Sequence, residues 1–459
     1  MKTIFIPINR GIIVRNLLRN RFFEMLAGNP DIRTILLFAV IEGRRPPEYL
    51  KKEFERENVV VEFVPNIVSR GIRRRFGAAT GRAIFSPTTK LYARYGTTKV
   101  SPKTAATNSF WYALYPVLAH TRISRSLVWS AEAFLFPDRC YDSYFVRYRP
   151  DLVFSTAILS VFDLAFLKGA RRREIATVSM PKSWDNLDKN LFRFEPDVFA
   201  VQNEWMAGEA VEYQKFNPEK IRTVGFPQFD IYRDPGVLIS REQYCAKKDF
   251  DPSRPLIFVG SEGEWSRGDD ALVRRLVQAE EHGAIPVSNI LIRPHFSGND
   301  GRFDSLKNTP GVFVDDTYRT SDFFIDHWDP TRQDMADFTN TLYHSDVSIN
   351  FASTLSLDAV CFDKPIINIG YGARWRERPD GAKEDMTWLM YETNYYRAVM
   401  ATNATTLVKS DAELLSAIRM SLRDPAFKRA ERNLLRDKMC YNVDCKSGER
   451  LYELVTAML

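Results

Sequence analysis

The stretch VSINFASTLSLDAVCFDKPIINIG, Val347 to Gly370, decides how the rest of the chain is read. Val347 to Phe351 has the apolar character of a buried strand, Ala352-Ser353-Thr354 is a turn, and LSLDAVCF has helical spacing from near Leu355. PIINIGY then supplies another buried strand. At the turn, Ser353 and Thr354 offer hydroxyls beside free backbone N–H groups, and a helix N-terminus of this kind binds phosphate. Asp358 lies one turn further along the same face, where a carboxylate accepts hydrogen bonds from ribose hydroxyls. The same residues also fit a plain Ser/Thr N-cap with an acid in the first turn.

Outward from this unit the pattern repeats. PLIFVGS, NILIRPH and GVFVDD read as strands, with DDALVRRLVQAEEHG and DMADFTNTLYHSD as helices. An earlier cycle runs through the strands KTIFIPI, TILLFAV, VVVEFVP, DLVFSTA, IATVSMP, DVFAVQN and IRTVGFP. Helical segments lie between them at IVRNLLRNRFFEMLAG, around Phe162 to Ala170, and from Glu204 to Phe216. Strands alternating with helices imply parallel sheets with helices on both faces. The breaker-rich stretch from Tyr232 to Arg254 separates the cycles, and Asp411 to Leu459 is helical by pattern, interrupted near Pro425 and Gly448.

The expected fold is therefore α/β with two Rossmann-like, doubly wound domains facing across a cleft: residues 1–235, residues 236–435, and a helix over 436–459 packing back on the first domain. With 459 residues the chain exceeds what one core usually supports. Ligands of open α/β sheets bind at the carboxyl ends of the strands, so the strand-to-helix loops are where chemistry is sought.

Composition excludes collagen, coiled coil and long disorder: 45% of residues are apolar, 27% charged and 13% aromatic. No apolar run reaches the roughly 18 residues that cross a bilayer. The opening MKTIFIPINRGIIVRNLLRNRFF is broken by Asn9 and Arg10 and does not read as a secretory signal, so a cytoplasmic location is expected. The five scattered cysteines, Cys140, Cys245, Cys361, Cys440 and Cys445, fit that compartment as ordinary thiols. The net charge of +6 is unevenly spread. Between Glu62 and Glu132 no acid occurs, while Arg70, Arg73, Arg74, Arg75, Arg82, Lys90, Arg94, Lys99, Lys103, Arg122 and Arg125 alternate with aromatic residues. Such a window faces anionic lipid, nucleic acid or a phosphorylated acceptor, or is a solvated face with its counter-charges elsewhere.

Four further loops offer residues suited to chemistry. LIRPHF brings Arg293 and His295 to a strand end, where they would neutralise charge on a leaving phosphate. KSWDNLDKN places Trp184, Asp185 and Asn186 after a first-domain strand; Asp185 suits a general base towards an acceptor hydroxyl, or an Asx-turn. VGSEGEWSRGDD sets Gly260 and Ser261 after a strand without the GK[ST] of a P-loop, and NRG, with Asn9 and Arg10, is the equivalent loop of the first domain. RTVGFPQFDIY reads as hinge and cleft wall.

Together these residues resemble the GT-B glycosyltransferase superfamily over nearly the whole chain. The nearest character is that of bacterial capsule and teichoic-acid enzymes, including the CDP-glycerol glycerophosphotransferase-like group. That group has a Trp-His-Gly motif followed by G-x-P-x-x-D. Here SWDN and GFPQFD stand in similar order, with Asp185 in place of the His and Asn186 in place of the Gly. The departure favours glycosyl transfer with a carboxylate base over glycerophosphate transfer. The resemblance implies a nucleotide-sugar donor on the second domain, held by Gly260, Ser261, Arg293, His295, Ser353, Thr354 and Asp358. It implies a glycan or lipid-linked acceptor on the first, beside Asn9, Arg10, Trp184, Asp185 and Asn186. Asp185 and His295 would be catalytic, no metal or cofactor is required, and an anionic membrane surface is an expected partner. The rivals are a polyol-phosphate transferase or nucleotide-sugar epimerase of the same fold, a non-catalytic scaffold and, last, a nucleic-acid binder, for which no module is recognisable.

Overall fold

A computed structural model describes residues 1–81, 83–95, 121–263, 266, 268–296, 301–377 and 381–459. The chain divides into two compact units. One comprises Met1–Asp230, Ser321–Asp329 and Tyr441–Leu459; the other comprises Ile231–Thr320 and Pro330–Cys440.

The first unit is built on seven strands: β1 (Lys2–Ile8), β2 (Ile32–Val40), β3 (Val59–Pro65), β4 (Leu152–Ser155), β5 (Ala176–Ser179), β6 (Val198–Val201) and β7 (Ile221–Thr223). All neighbours are parallel, in the order β3-β2-β1-β4-β5-β6-β7. β1 is buried beyond its first residue because both faces are covered, so its apolar run needs no alternation. Register runs Lys2↔Ile32 to Ile8↔Phe38 on one side and Ile4↔Leu152 on the other. The chain thus travels outward from β1 to β3 and restarts at β4 on the opposite side of β1. That reversal is the topological switch point where open sheets of this kind form a crevice.

The second unit carries β8 (Leu256–Gly260), β9 (Asn289–Arg293), β10 (Val312–Val314), β11 (Val347–Asn350) and β12 (Ile366–Ile369). A short antiparallel hairpin, β13 (Trp375–Glu377) with β14 (Lys383–Asp385), and the strand β15 (Thr405–Val408) follow. The parallel order β10-β9-β8-β11-β12-β15 repeats the same winding, with its switch point between β8 and β11.

The helix expected over IVRNLLRNRFFEMLAG is in fact two. A turn at Gly11–Ile13 continues as a π-helical turn over Val14–Leu18, and a separate helix spans Arg21–Gly28. Asn20 starts the second helix by accepting the Phe22 N–H at 3.0 Å. Arg19, at the break, sends its guanidinium into a buried cluster, 2.6 Å from Asp329 and 2.6 and 2.9 Å from the two oxygens of Glu53; Tyr49 also donates to Asp329. Asp329 ends the segment Ser321–Asp329, which joins the first unit's core through Phe323 and Phe324. Phe324 packs on Phe38, Phe323 on Phe63, and Arg15 lies over the Trp328 ring. Asp326 accepts from the N–H groups of Gly11 (2.9 Å) and Ile12 (3.1 Å). Gly11 is required here, because a Cβ would stand 1.4 Å from the Trp328 carbonyl oxygen.

The helix Ser447–Thr456 likewise belongs to the first unit, with Leu451 and Val455 in its core and Asp230 accepting from the N–H groups of Ser447 and Gly448.

Within the basic window, helices span Gly71–Gly81, Pro87–Tyr95 and Arg122–Leu135; Arg82, Lys99 and Lys103 lie outside the described residues. Part of its charge is internal. Arg73 pairs with Asp138 and Glu132, the latter also held by Lys168 and Arg193. Arg125 is buried, donates to the Ala83 and Tyr213 carbonyls, and is pushed down to about 10 by that burial. The third helix shows solvent an apolar stripe instead: Ile123 (75% exposed), Leu127 (66%) and Phe134 (84%).

Candidate functional site

At the second unit's switch point the end of β8 meets the turn after β11. Gly260 closes β8, and a Cβ there would stand 2.0 Å from Leu355 Cδ1, so glycine lets the helix Leu355–Val360 start against the strand end. The Ser261 N–H donates to the Arg293 carbonyl (3.0 Å), and its Oγ accepts from Gly263 N–H (3.0 Å), joining the ends of β8 and β9. Arg302 and Asp269 fix the far side of this loop at 3.0 Å. Ser353 Oγ accepts the Leu355 N–H (3.3 Å), and Thr354 is exposed beside it. Beneath the turn lies a wholly buried polar net. Asn350 Oδ1 accepts from Ser356 Oγ and Asn368 Nδ2, while the Tyr396 hydroxyl donates to Asn368 Oδ1. Such a net fixes the turn because each member would be costly to leave unpaired. Glu262 adds a half-buried carboxylate whose charge raises Tyr391 and Tyr396, secondary to their burial.

Gly260, Ser261, Ser353 and Thr354 thus share one strand-end region of the second unit. Arg293, His295 and Asp358 have other engagements. The Arg293 guanidinium is 2.6 Å from Asp315 and lies over the rings of Tyr318 and Phe338. Burial holds the His295 imidazole down at about 4, so at neutral pH it is uncharged and offers no positive charge to a phosphate, contrary to the expectation. Its ring lies 4.2 Å from that of Phe296. Asp358 accepts from the Tyr232 hydroxyl at 2.5 Å, on the inner side of its helix.

In the first unit, Asn9 follows β1 and donates to Ser160 Oγ (2.5 Å) and Asp163 (3.0 Å). Burial lifts the Asp163 carboxyl to about 7, although Ser155 Oγ and the Ala157 N–H both donate to it. Trp184 is buried against Trp205, which removes its ring from solvent. Asp185 pairs with Lys189 and accepts from Asn186 Nδ2 (3.1 Å). Burial alone would raise Asp185; Lys189, Ser183 and Lys182 outweigh it and hold the carboxyl at about 2. Lys182 is pushed down by burial and by the nearby positive charge of Arg10. Arg10, Lys182 and Asp185 are therefore electrostatic neighbours.

Three residues that the sequence reading passed over complete this edge: Thr156 after β4, Lys182 after β5 and Gln202 after β6, all lining one pocket. The signal that finds them is positional, since each is an early polar residue beyond a buried parallel strand.

No protein-family model matches the chain, and no curated protein matches it in sequence. Solved structures do match over the full length. UDP-GlcNAc 2-epimerase from Neisseria meningitidis, bound to UDP-GlcNAc, is 11% identical, with all of both chains covered and a TM-score of 0.50. MnaA of S. aureus, in a co-structure with UDP, is 9% identical over 100% of this chain and 98% of that one, with a TM-score of 0.52. The wall teichoic acid polymerase TagF is 10% identical over 99% of this chain and 88% of that one, with a TM-score of 0.51. At such identities the likeness establishes the architecture: two Rossmann-like parallel sheets of the GT-B kind.

Proposed function

We propose that this chain is a glycosyltransferase that moves a sugar from a nucleotide-sugar donor to a saccharide or lipid-linked acceptor in surface-polysaccharide synthesis. The observation that carries the reading is the second unit's switch point, where Gly260 admits the helix Leu355–Val360 against β8 and leaves Ser261, Ser353, Thr354 and Glu262 around one strand-end crevice. The N–H groups of Ser261, Gly263, Ser353, Leu355 and Ser356 are bonded within the fold, contrary to the free N–H groups expected at this turn. What such a crevice supplies to a nucleotide diphosphate and its ribose is therefore hydroxyls and a carboxylate at parallel-strand ends. Neutral His295, beyond the neighbouring strand β9, would serve as a hydrogen-bonding group, and Arg293, tied to Asp315, holds the shape of its loop.

On the first unit, Asp185 is the carboxylate assigned to receive the acceptor proton. It is ionised throughout the physiological range, but its pairing with Lys189 makes it a weak base until the acceptor hydroxyl displaces the ammonium. The exposed stripe Ile123, Leu127 and Phe134, beside the exposed arginines of the acid-free window, supports peripheral attachment to anionic lipid, as befits lipid-linked acceptors. Among the described residues no helix is long and apolar enough to cross a membrane.

The test is a thermal-shift screen of the full chain with UDP-, GDP-, CMP- and CDP-linked sugars, since a ligand that binds only the folded state raises Tm. One nucleotide class should stabilise the protein, and Ser353→Ala with Thr354→Val should weaken that effect. Stabilisation by none of the four sinks the reading. Sugar isomerisation of a stabilising donor without any acceptor would show an epimerase instead.

A further inference from the structure

Asp163 stands in the first turn of the helix Val161–Arg171, fully buried, and ties the residue after β1 to the end of β4 at the first unit's switch point. Its Oδ1 accepts from Ser155 Oγ (3.0 Å) and the Ala157 N–H (3.2 Å), and its Oδ2 accepts from Asn9 Nδ2 (3.0 Å). All three partners are neutral. The titratable groups on the elements packed around it are engaged elsewhere. Lys2 pairs with Asp151, Lys168 with Glu132 and Asp138, Arg171 lies over the Phe194 ring, and the Tyr141 hydroxyl donates to the Pro65 carbonyl. β4 and β5 carry no charge. Beyond the strand ends, Lys182 faces Arg10, Asp185, Asp326 and Lys189. Burial without a counter-charge lifts the Asp163 carboxyl to about 7, so both of its forms are populated near neutral pH.

A proton arriving on Oδ2 needs an acceptor. Ser160 Oγ is taken, because it already accepts from the Phe162 N–H (3.1 Å) and from Asn9 Nδ2 (2.5 Å). The other end of the Asn9 amide is available: Asn9 Oδ1 is buried and has no hydrogen-bond partner. Turning the amide over brings Oδ1 to the carboxyl and sends Nδ2 to the unpaired position, while the Ser160 hydroxyl donates where its oxygen had accepted. One amide atom is left over in either orientation, so the two arrangements differ little in unmade bonds.

We propose that Asp163 and Asn9 form a two-position proton clasp between β1 and β4: the carboxylate draws Asn9 Nδ2, whereas the neutral acid donates from Oδ2 to Asn9 Oδ1 with the amide turned over. The clasp makes the end of β1 sensitive to pH, whether or not the protein transfers sugars.

The test is a pH titration of the full chain with isotope-labelled asparagine, followed by magnetic resonance of the side-chain amides. The Asn9 signal, identified by its loss in Asn9→Ser, should shift with a midpoint of about 7, far above the roughly 3.9 of an ordinary aspartate. Asp163→Asn keeps a donor turned towards Asn9, so there the signal should hold its acid position at every pH. Ser155→Ala removes a donor to the carboxylate and should move the midpoint upward. Tm gives a second reading. Folded Asp163 holds its proton more tightly than the unfolded chain does, so the stability contributed by the neutral form is complete below about 3.9 and lost as pH rises to about 7. The Tm of Asp163→Asn relative to wild type should therefore climb across that window and level off above it. A wild-type midpoint in the ordinary aspartate range, an Asn9 signal indifferent to pH, or a Tm difference that stays constant overturns the proposal.

Discussion

Replacing Asp329 by alanine tests whether the segment Ser321–Asp329 is integral to the first unit. Asp329 is fully buried and receives both the Arg19 guanidinium at 2.6 Å and the Tyr49 hydroxyl. Its removal leaves the buried arginine facing the carboxylate of Glu53, which is itself about one-third exposed. Breaking a buried pair from one side costs about 3–5 kcal/mol, and the remaining Glu53 contact argues for the lower end. For a unit of this size each kcal/mol moves Tm by about 2–4 °C, so the expected fall is about 6–12 °C. Calorimetry gives that shift, and limited proteolysis should show new cleavage around Ser321–Asp329. Gly11→Ala should produce the same cleavage by another route, since its Cβ would collide with the Trp328 carbonyl. Arg19→Met combined with Asp329→Leu should recover much of the loss, because an apolar pair avoids the stranded charge. A Tm within a degree or two of wild type for Asp329→Ala, with an unchanged digest, would refute the claim.

Asp185→Asn should lower transfer by about a hundredfold to ten-thousandfold, the usual worth of a general base, with donor-induced stabilisation unchanged; near-normal turnover would move the base elsewhere. His295, held at about 4, is neutral in the folded protein while an unfolded histidine titrates near 6.5, so stability should decline by about 3 kcal/mol as pH falls between those values. His295→Phe should abolish that limb of the pH–stability curve, and an identical curve in the variant would contradict the burial argument. Leu127→Asp with Phe134→Asp should reduce flotation with anionic vesicles at low salt, leaving Tm close to wild type because both side chains already face solvent. Undiminished flotation would show that this stripe is not the contact.

The winding of both sheets was legible because parallel strands buried on two faces leave continuous apolar runs, as in KTIFIPI and VSINF. The turn at Ser353 and Thr354 was legible for the same reason, as a break between such runs. Three kinds of feature were not. Thr405–Val408 and the hairpin at Trp375–Glu377 and Lys383–Asp385 are too short to show a period. The break at Arg19 depends on Glu53 and on Asp329, which lies far along the chain, so no local pattern announces it. The fates of Arg293 and Asp358 were hidden similarly: spacing said which strand end and helix turn they occupy, while Asp315 and Tyr232 decided what they bind. Lys182 shows the converse. It stood at the head of the KSWDN segment, yet only three-dimensional neighbours reveal its opposed charge.

The segmental make-up of the first unit bears on how the protein is made. The backbone passes between units at 230/231, 320/321, 329/330 and 440/441. As synthesis proceeds, the seven-stranded sheet emerges early, but Phe38 and Phe63 await Phe324 and Phe323, and the core awaits Leu451 and Val455, more than two hundred residues after β7. During that interval apolar surface at the sheet is uncovered, which is the condition under which nascent chains recruit chaperones or associate. A fragment cut at Asp230 lacks Phe323, Phe324, Leu451 and Val455 and so keeps that surface uncovered. Dissection of this protein therefore requires stitching distant segments together rather than trimming at a linker.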